Sequence, residues 1–428
     1  MENEVLVSAI MPVYNSEEYL EKTLDSLVNQ TLREIEIICV NDASTDNSLE
    51  IINEYKKKDK RIKVINNQIN MGAAVSRNTG LENASGKYVI FLDADDFFYP
   101  HMCKQSFETA ENFKSDIVIF GYETYEADSY NENVPFFKIK KFKNKEITEQ
   151  SQKVDLLYYV NLAPWNKLVN REMLIRNNIK FQDIPNANDV YFSVTAMLSA
   201  DKIMVLEDVL LKYYLGNKGS LTSDKKRRKN HIVEAYEEVY RFVDKNGYSN
   251  KNKAMVVNYV ITELLNQIFS KVYDETVKED VYNSLRNSEE LVNAFLKAKK
   301  NNMLMSCNIT FVDGLKKETP EKNKYYYYSD EIKKILKRAK EENKKVALWG
   351  YGNFGKSFLE MLKDKNLKIN YIIDEDTNKQ GQIHGEYIVN SYNNISEEVD
   401  IIFVLNPYFL DEIKERATEK EIVDVWKM

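Results

Sequence analysis

Short apolar runs alternate with helix-period stretches along the first hundred residues. Val5–Met11 is an almost uninterrupted apolar run and predicts a buried strand. Asn15 then stands at a helix-capping position with Glu18 three residues on, and Tyr19, Leu20, Leu24 and Leu27 recur at helical spacing behind it. Ile35–Val40 predicts a second strand, Asn47–Lys57 a helix, Ile62–Ile65 a strand, Ala73–Asn83 a helix and Tyr88–Leu92 a fourth strand. Strands alternating with helices in this way imply a mostly parallel, doubly wound sheet. Such sheets take ligands beyond the carboxyl ends of their strands.

From Asp116 to Tyr214 the pattern is mixed. Strands are expected at Ile117–Tyr122, Phe136–Lys140, Lys202–Leu206 and Val209–Tyr214, and helices at Gln152–Tyr159 and Val190–Ser199. A helical region follows, in which Val257, Ile261, Leu264, Ile268 and Val272 keep helical spacing. Residues 313–329 read as a charged linker with Pro320 and the aromatic run Tyr325–Tyr328. After a helix over Glu331–Asn343, a new strand–turn–helix begins at Val346. The expected organisation is an α/β domain over 1–215, a helical region and linker over 216–325, and a second, small α/β domain over 326–428.

Composition narrows the function classes. The 428 residues carry a net charge of −7, which argues against a dedicated nucleic-acid binder. The N-terminus has acidic residues where a signal peptide would be basic. Ala254–Val272 is interrupted by Asn258, Glu263, Asn266 and Gln267, so it reads as an amphipathic helix rather than a membrane span. Cys39, Cys103 and Cys307 form no disulfide framework, which fits a reducing, cytoplasmic compartment. The run Lys225–Lys229 has two readings: a solvated start to a helix, or peripheral contact with an anionic acceptor or lipid headgroups. His101, His231 and His384 make no metal-ligand spacing.

Candidate chemistry follows each predicted strand of the first domain. Pro12-Val13-Tyr14-Asn15 comes after the first strand and Asn41-Asp42-Ala43-Ser44-Thr45-Asp46 after the second. Asn70-Met71-Gly72 and Arg77-Asn78-Thr79-Gly80 surround the third helix, and Asp93-Ala94-Asp95-Asp96 follows the fourth strand. A parallel sheet would bring all four to one edge. Two carboxylates two residues apart suit a hard divalent cation shared with phosphate oxygens, and Arg77 supplies a fixed cationic fork. Asp42 or Asp46 could instead cap a helix, and Gly72 and Gly80 could serve turns alone.

The ordered series resembles the family 2 glycosyltransferases of the GT-A fold, over roughly the first 215 residues. The resemblance implies a metal-dependent, inverting transfer of a sugar from a nucleoside-diphosphate donor, UDP-linked, to a hydroxyl of a glycan or lipid-linked acceptor in bacterial surface-glycan synthesis. It implies that Asp42, Tyr14, Pro12, Asn15, Arg77, Asp93 and Ala94 hold the nucleotide sugar, and that Asp95 holds Mn²⁺ or Mg²⁺. Asn188-Asp189-Val190-Tyr191-Phe192 resembles the segment whose aspartate is the general base, which assigns that role to Asp189; Asn188 stands where Glu is common. Asp96, Trp165, Lys167 and Ser220 match positions facing the acceptor or the diphosphate. Leu215-Gly216-Asn217 replaces an arginine often found near the end of this module. Two other classes remain: a sugar nucleotidyltransferase, which would want a glycine-rich loop where Pro12–Asn15 stands, and a non-catalytic nucleotide-binding scaffold, which would not need the whole acidic set.

Gly350-Tyr351-Gly352-Asn353-Phe354-Gly355 follows the strand Val346–Trp349 and precedes a helix, and Asp374 ends the next strand. This is the G-x-G-x-x-G arrangement in its required context. It resembles the small Rossmann-like modules attached to carbohydrate-biosynthesis enzymes, which implies a nucleotide or NAD. About 85 residues after Val346 are too few for the second half of a dehydrogenase, and no Tyr-x-x-x-Lys pair follows. A binding or structural module stands beside an oxidoreductase as a reading of this segment.

Overall fold

The computed structural model describes residues 4–125, 142, 144–214, 231–269, 275–315, 329–405 and 410–425. The expected strand Phe136–Lys140, Ser220, the basic run Lys225–Lys229 and the tyrosine run Tyr325–Tyr328 lie outside them. The chain divides into two compact units, Met1–Lys253 and Ala254–Met428.

The first unit runs β1 (Val7–Val13), α1 (Leu20–Val28), β2 (Ile35–Asn41), α2 (Ser48–Lys58), β3 (Ile62–Asn66), α3 (Ala73–Glu82), β4 (Tyr88–Phe91), β5 (Phe97–Phe98) and α4 (Met102–Phe113). It continues through β6 (Ile117–Tyr125), β7 (Glu146–Ile147), α5 (Gln150–Leu157), β8 (Lys167–Asn170), α6 (Arg171–Arg176), α7 (Asn188–Ser199), β9 (Ile203–Tyr214) and α8 (His231–Lys245). The sheet order is β3-β2-β1-β4-β8-β6-β9-β5, with β7 also on β9. Strands β1 to β4 are mutually parallel. Because β8 runs antiparallel to both β4 and β6, and β9 parallel to β6, the carboxyl ends of β1, β2, β4, β6 and β9 share one edge.

The near-continuous apolar runs of β1, β2 and β4 follow from burial on both faces. The polar exceptions in this core are matched across the register: Ser8 lies opposite Glu36 and donates to its Oε1 at 2.5 Å. The Ser85 amide and hydroxyl donate to the same oxygen, and Lys63 pairs with Oε2. Burial would raise the Glu36 carboxyl, but these donors outweigh it and hold it below the usual range.

Four expectations need correction. β1 lies two residues further along, so Pro12 and Val13 belong to the strand. α1 starts at Leu20, and Asn15 does not cap it; Asn15 sits at φ +48° with its side chain turned to the next loop, accepting from the Thr45 amide at 2.8 Å. The two strands expected over 202–214 are one strand, β9, whose polar Glu207-Asp208 pair stays extended with both side chains exposed. α5 begins at Gln150, fixed by a capping box between Glu149 and Gln152.

The second unit takes over within α9 (Asn250–Ile268), followed by α10 (Glu275–Asn287), α11 (Glu289–Lys300), α12 (Ser306–Gly314) and α13 (Ser329–Glu341). α9 is buried around most of its girth rather than along one stripe, which explains its apolar length. Its polar Asn258 is satisfied on both ends of the amide: Nδ2 donates to Ala254 and Met303 carbonyls, and Oδ1 accepts from Met305 N and Asn308 Nδ2. Among the described residues no helix is long and apolar enough to cross a membrane.

Beyond α13 come β10 (Val346–Trp349), α14 (Asn353–Asp364), β11 (Tyr371–Ile373), β12 (Ile383–His384), β13 (Tyr387–Asn390), α15 (Tyr392–Ile395), β14 (Ile401–Val404), α16 (Leu410–Arg416) and β15 (Glu421–Asp424). This second sheet has the order β12-β13-β11-β10-β14-β15 and is parallel except at β12–β13. The connection order therefore reverses at β10, with β11 on one side and β14 on the other.

Candidate functional site

The loops leaving β1, β2 and β4 meet at the shared edge of the first sheet. Those after β1 and β2 are laced together: the Asn15 amide donates to Ser44 Oγ, the Ser16 amide to Ser48 Oγ and the Glu17 amide to Asp46 Oδ2. Glu17 returns the contact by accepting from the Asn47 amide and side chain. Tyr14 projects from this rigid double loop with 49% of its surface exposed, leaving a ring face free to stack on a base.

Asp42, one residue past β2, is buried and already employed. Its Oδ1 accepts from Asn67 Nδ2 at 2.8 Å and Met71 N at 2.9 Å, and its Oδ2 from Gly72 N at 2.8 Å. The carboxylate thus pins the whole 67–72 loop, in which Gly72 sits at φ +85°. Neither a helix cap nor a free base-binding group describes it fully.

Arg77, on α3, points beneath the acidic loop. Its Nη2 pairs with Asp93 Oδ1 at 2.7 Å and its Nη1 donates to Asn188 Oδ1 at 3.2 Å. The guanidinium lies 5.3 Å from the Phe181 ring centroid. Phe181 stacks on Phe192, and Phe91 stands edge-on to both. A reciprocal pair of hydrogen bonds between Asn78 and the Phe181 backbone ties this aromatic floor to α3. Asn78, Phe181 and Asn188 stand in or beside the motifs, but their contacts with one another and with Arg77 are set by the fold. Asn188 was legible only as a departure from Glu; its amide oxygen does for Arg77 what a carboxylate oxygen there could do.

Asp189 occupies the first turn of α7, behind the left-handed Ala187. Burial pushes its carboxyl above the usual range, with Asp93 adding to the push, while Arg77, Lys167 and a backbone N–H pull the other way. Its side chain remains partly exposed. A carboxylate raised in this way is a stronger proton acceptor once ionised.

Lys167 opens β8 and is turned inward. Its Nζ donates to the Asn161 carbonyl, the Ala163 carbonyl and Asn166 Oδ1 at 2.6, 2.7 and 2.8 Å. Burial pushes this ammonium down to about 7, and Asp189 opposes that shift. Three short acceptors require all three N–H groups, so the geometry favours the charged form. Lys167 thereby fixes the 161–166 segment, on which Trp165 is buried and stacked 5.3 Å from Tyr213.

The acidic loop is held from below by Thr23 of α1, whose single hydroxyl proton is shared between the carbonyls of Ala94 and Asp96, each 2.9 Å away. Asp96 is buried; its Oδ1 accepts from Tyr214 N at 3.2 Å, and among the described residues its Oδ2 has no partner. Burial, then Asp93 and Asp95, raise its carboxyl well above the usual range. Asp93 and Asp95 are partly exposed. Among the described residues no three His, Cys, Asp or Glu side chains gather to hold a metal by themselves. Two hard carboxylates on one loop do fit a Mg²⁺ or Mn²⁺ that completes its shell with phosphate oxygens and water. In the second unit, Gly350, Gly352 and Gly355 form the turn from β10 into α14, and Asp374 lies one residue beyond β11.

Comparisons with known proteins bear on the family and the fold. The family model for glycosyl transferase family 2 matches residues 8–176, and one described as C2185-like, N-terminal matches residues 342–425. The chain is 35% identical over 262 residues to the uncharacterized glycosyltransferase EpsJ of Bacillus subtilis (strain 168), covering 60% of this chain and 74% of that one. It is 34% identical over 217 residues to the poly(ribitol-phosphate) beta-glucosyltransferase of Bacillus spizizenii, covering 50% of this chain and 33% of that one. Among solved structures, S. aureus TarS 1-349 in complex with UDP-GlcNAc superposes with a TM-score of 0.61 at 22% identity, covering 72% of this chain and 87% of TarS 1-349. That likeness establishes the GT-A fold of the first sheet.

Proposed function

Because the chain belongs to the family 2 glycosyltransferases, we propose that the edge of its first sheet transfers a sugar from a UDP-linked donor to a hydroxyl of a bacterial surface glycan or its lipid-linked precursor, with inversion at the anomeric carbon. One observation carries this reading: Arg77 ties the acidic loop, through Asp93, to Asn188 beside Asp189. Donor-side and acceptor-side groups are thereby held in one frame. The UDP-GlcNAc of the TarS complex supports the choice of nucleotide, and the poly(ribitol-phosphate) beta-glucosyltransferase relative supports the acceptor class.

In this reading Tyr14 stacks on the base, and the 67–72 loop held by Asp42 closes its edge. Asp93 meets the ribose. Asp95, with Asp93 beside it, would hold a divalent cation, which when bound would offset the charge gathering on the departing diphosphate. Asp189 takes the proton of the acceptor hydroxyl as its oxygen bonds to the anomeric carbon and the bond to the diphosphate oxygen breaks. Tyr213, backed by the buried Trp165 ring, offers an aromatic face to the acceptor sugar, and Lys167 fixes the segment that carries Trp165. The second sheet is read as a Rossmann-like module that takes no part in these steps. Turnover assayed across UDP-, GDP-, dTDP- and CMP-sugars, with and without Mn²⁺, tests the reading. It expects one UDP-sugar to be consumed in a metal-dependent way; equal turnover in EDTA, or consumption of only a non-UDP donor, would overturn it.

A further inference from the structure

The second sheet carries a cavity of about 350 Å³ that the transfer reaction does not use. It opens beyond the carboxyl ends of β10, β11 and β14, between the glycine turn and α16. The sheet reverses its connection order at β10, and ligands of open α/β sheets sit at such a reversal.

The three glycines of the turn meet three different physical demands. Gly350 adopts φ +106°, a conformation that side-chain-bearing residues rarely reach. A Cβ on Gly355 would lie 2.0 Å from the Gly350 carbonyl oxygen, so only glycine lets α14 close on β10. Gly352 has neither constraint: its φ of −91° suits any residue, and a Cβ there would meet no protein atom within 4 Å. What a side chain at 352 would fill is the cavity itself, which Gly352 lines. Tight turn, close helix packing and open backbone approach are the three roles that glycines serve where a diphosphate rests on a helix N-terminus.

The opposite wall is acidic and organised. Asp374 Oδ2 accepts from Tyr351 N at 2.7 Å and its Oδ1 from Asp376 N at 3.0 Å, which locks it against the turn. Its remaining lone pairs face Lys379, whose ammonium lies 3.2 Å away on a partly exposed side chain. A ribose hydroxyl can take that place, because a carboxylate offers about four acceptor sites and the backbone uses two. Glu375 is held by Arg416 and the Tyr392 amide. Val404, Leu405 and Ile413 supply an apolar surface for a base.

We propose that this cavity binds one ribonucleoside 5′-diphosphate, its phosphates on the amides that open α14 and its ribose hydroxyls on Asp374. The volume stands at the low end of the about 300–1,000 Å³ usual for ligand pockets, which suits a single nucleotide rather than a dinucleotide. The row Asp374-Glu375-Asp376 repels a 2′-phosphate.

Hydrogen–deuterium exchange on the full chain tests this and separates the cavity from the transfer site. UDP, ADP and NADH are the probes, UDP and ADP distinguishing a sugar-nucleotide source from an adenine one. Either diphosphate is expected to slow exchange at least several-fold over residues 350–356 and 374–376. Gly352→Val should abolish that protection and leave both the melting temperature and UDP protection at residues 71–77 unchanged; Gly352→Ala, with its smaller intrusion, should weaken it. Absence of protection by UDP and ADP, protection by NADH alone, or protection that survives Gly352→Val would each overturn the proposal.

Discussion

Asp42→Asn is the most informative single change at the donor side, because one carboxylate accepts from three donors of the 67–72 loop. The substitution conserves shape and removes one acceptor. If the amide oxygen keeps the Oδ1 position, it still serves Asn67 and Met71, but the new NH₂ confronts the Gly72 N–H. The reverse rotamer orphans two donors instead of one. In the better case one partly buried N–H is left unpaired, at about 1–3 kcal/mol, and two charge-assisted bonds become neutral ones, at roughly 0.5–1 kcal/mol each. A loss of about 2–5 kcal/mol is expected, which converts to a ~30- to 4,000-fold rise in loop opening. Exchange rates of the Met71 and Gly72 amides read this directly, and the KM for the donor should rise with them while α1 and β1 keep their protection. Unchanged amide protection with unchanged KM would refute the idea that Asp42 acts by holding this loop.

Glu36 gives a pH test. Its folded-state pKa lies below the unfolded one, so it contributes stability above the unfolded value of about 4.3 and loses it as pH falls through the folded value. The melting-temperature gap between wild type and Glu36→Gln should be full at neutral pH and narrow progressively as pH falls from about 4.3 through the lower folded value; a gap independent of pH would contradict the buried network. Asp95→Ala should abolish turnover with the fold intact, as should EDTA, and added Mn²⁺ should restore only the wild type; the check is turnover beside a circular dichroism spectrum. Gly355→Ala sets a methyl against backbone and should destabilise the second unit by about 1–3 kcal/mol or more, seen as a lowered calorimetric transition, with sugar transfer retained.

The parallel core was legible because β1, β2 and β4 are buried on both faces and write unbroken apolar runs. The glycine turn was legible for a different reason: φ +106° at Gly350 and the contact at Gly355 leave few residue choices. β8 was not, since Lys167 opens it and its burial depends on three acceptors brought together by the fold rather than on an apolar run. Asn15 misled as a helix cap because its side chain bonds a loop 30 residues away, and capping signals are read locally. Asp42 was found by its motif, but its three partners come from 25 to 30 residues downstream, beyond any local pattern. The same holds for Asn188, whose partner Arg77 is 111 residues distant.

The central claim is that Asp189, held beside the Arg77–Asp93 pair, removes the acceptor proton during sugar transfer. Single-turnover transfer by wild type and Asp189→Asn, with the donor saturating and its Kd measured separately, tests it most directly. The account predicts a rate lower by about 10²–10⁴-fold at unchanged donor Kd. A variant that transfers within a few-fold of wild type would place the base elsewhere and contradict the account.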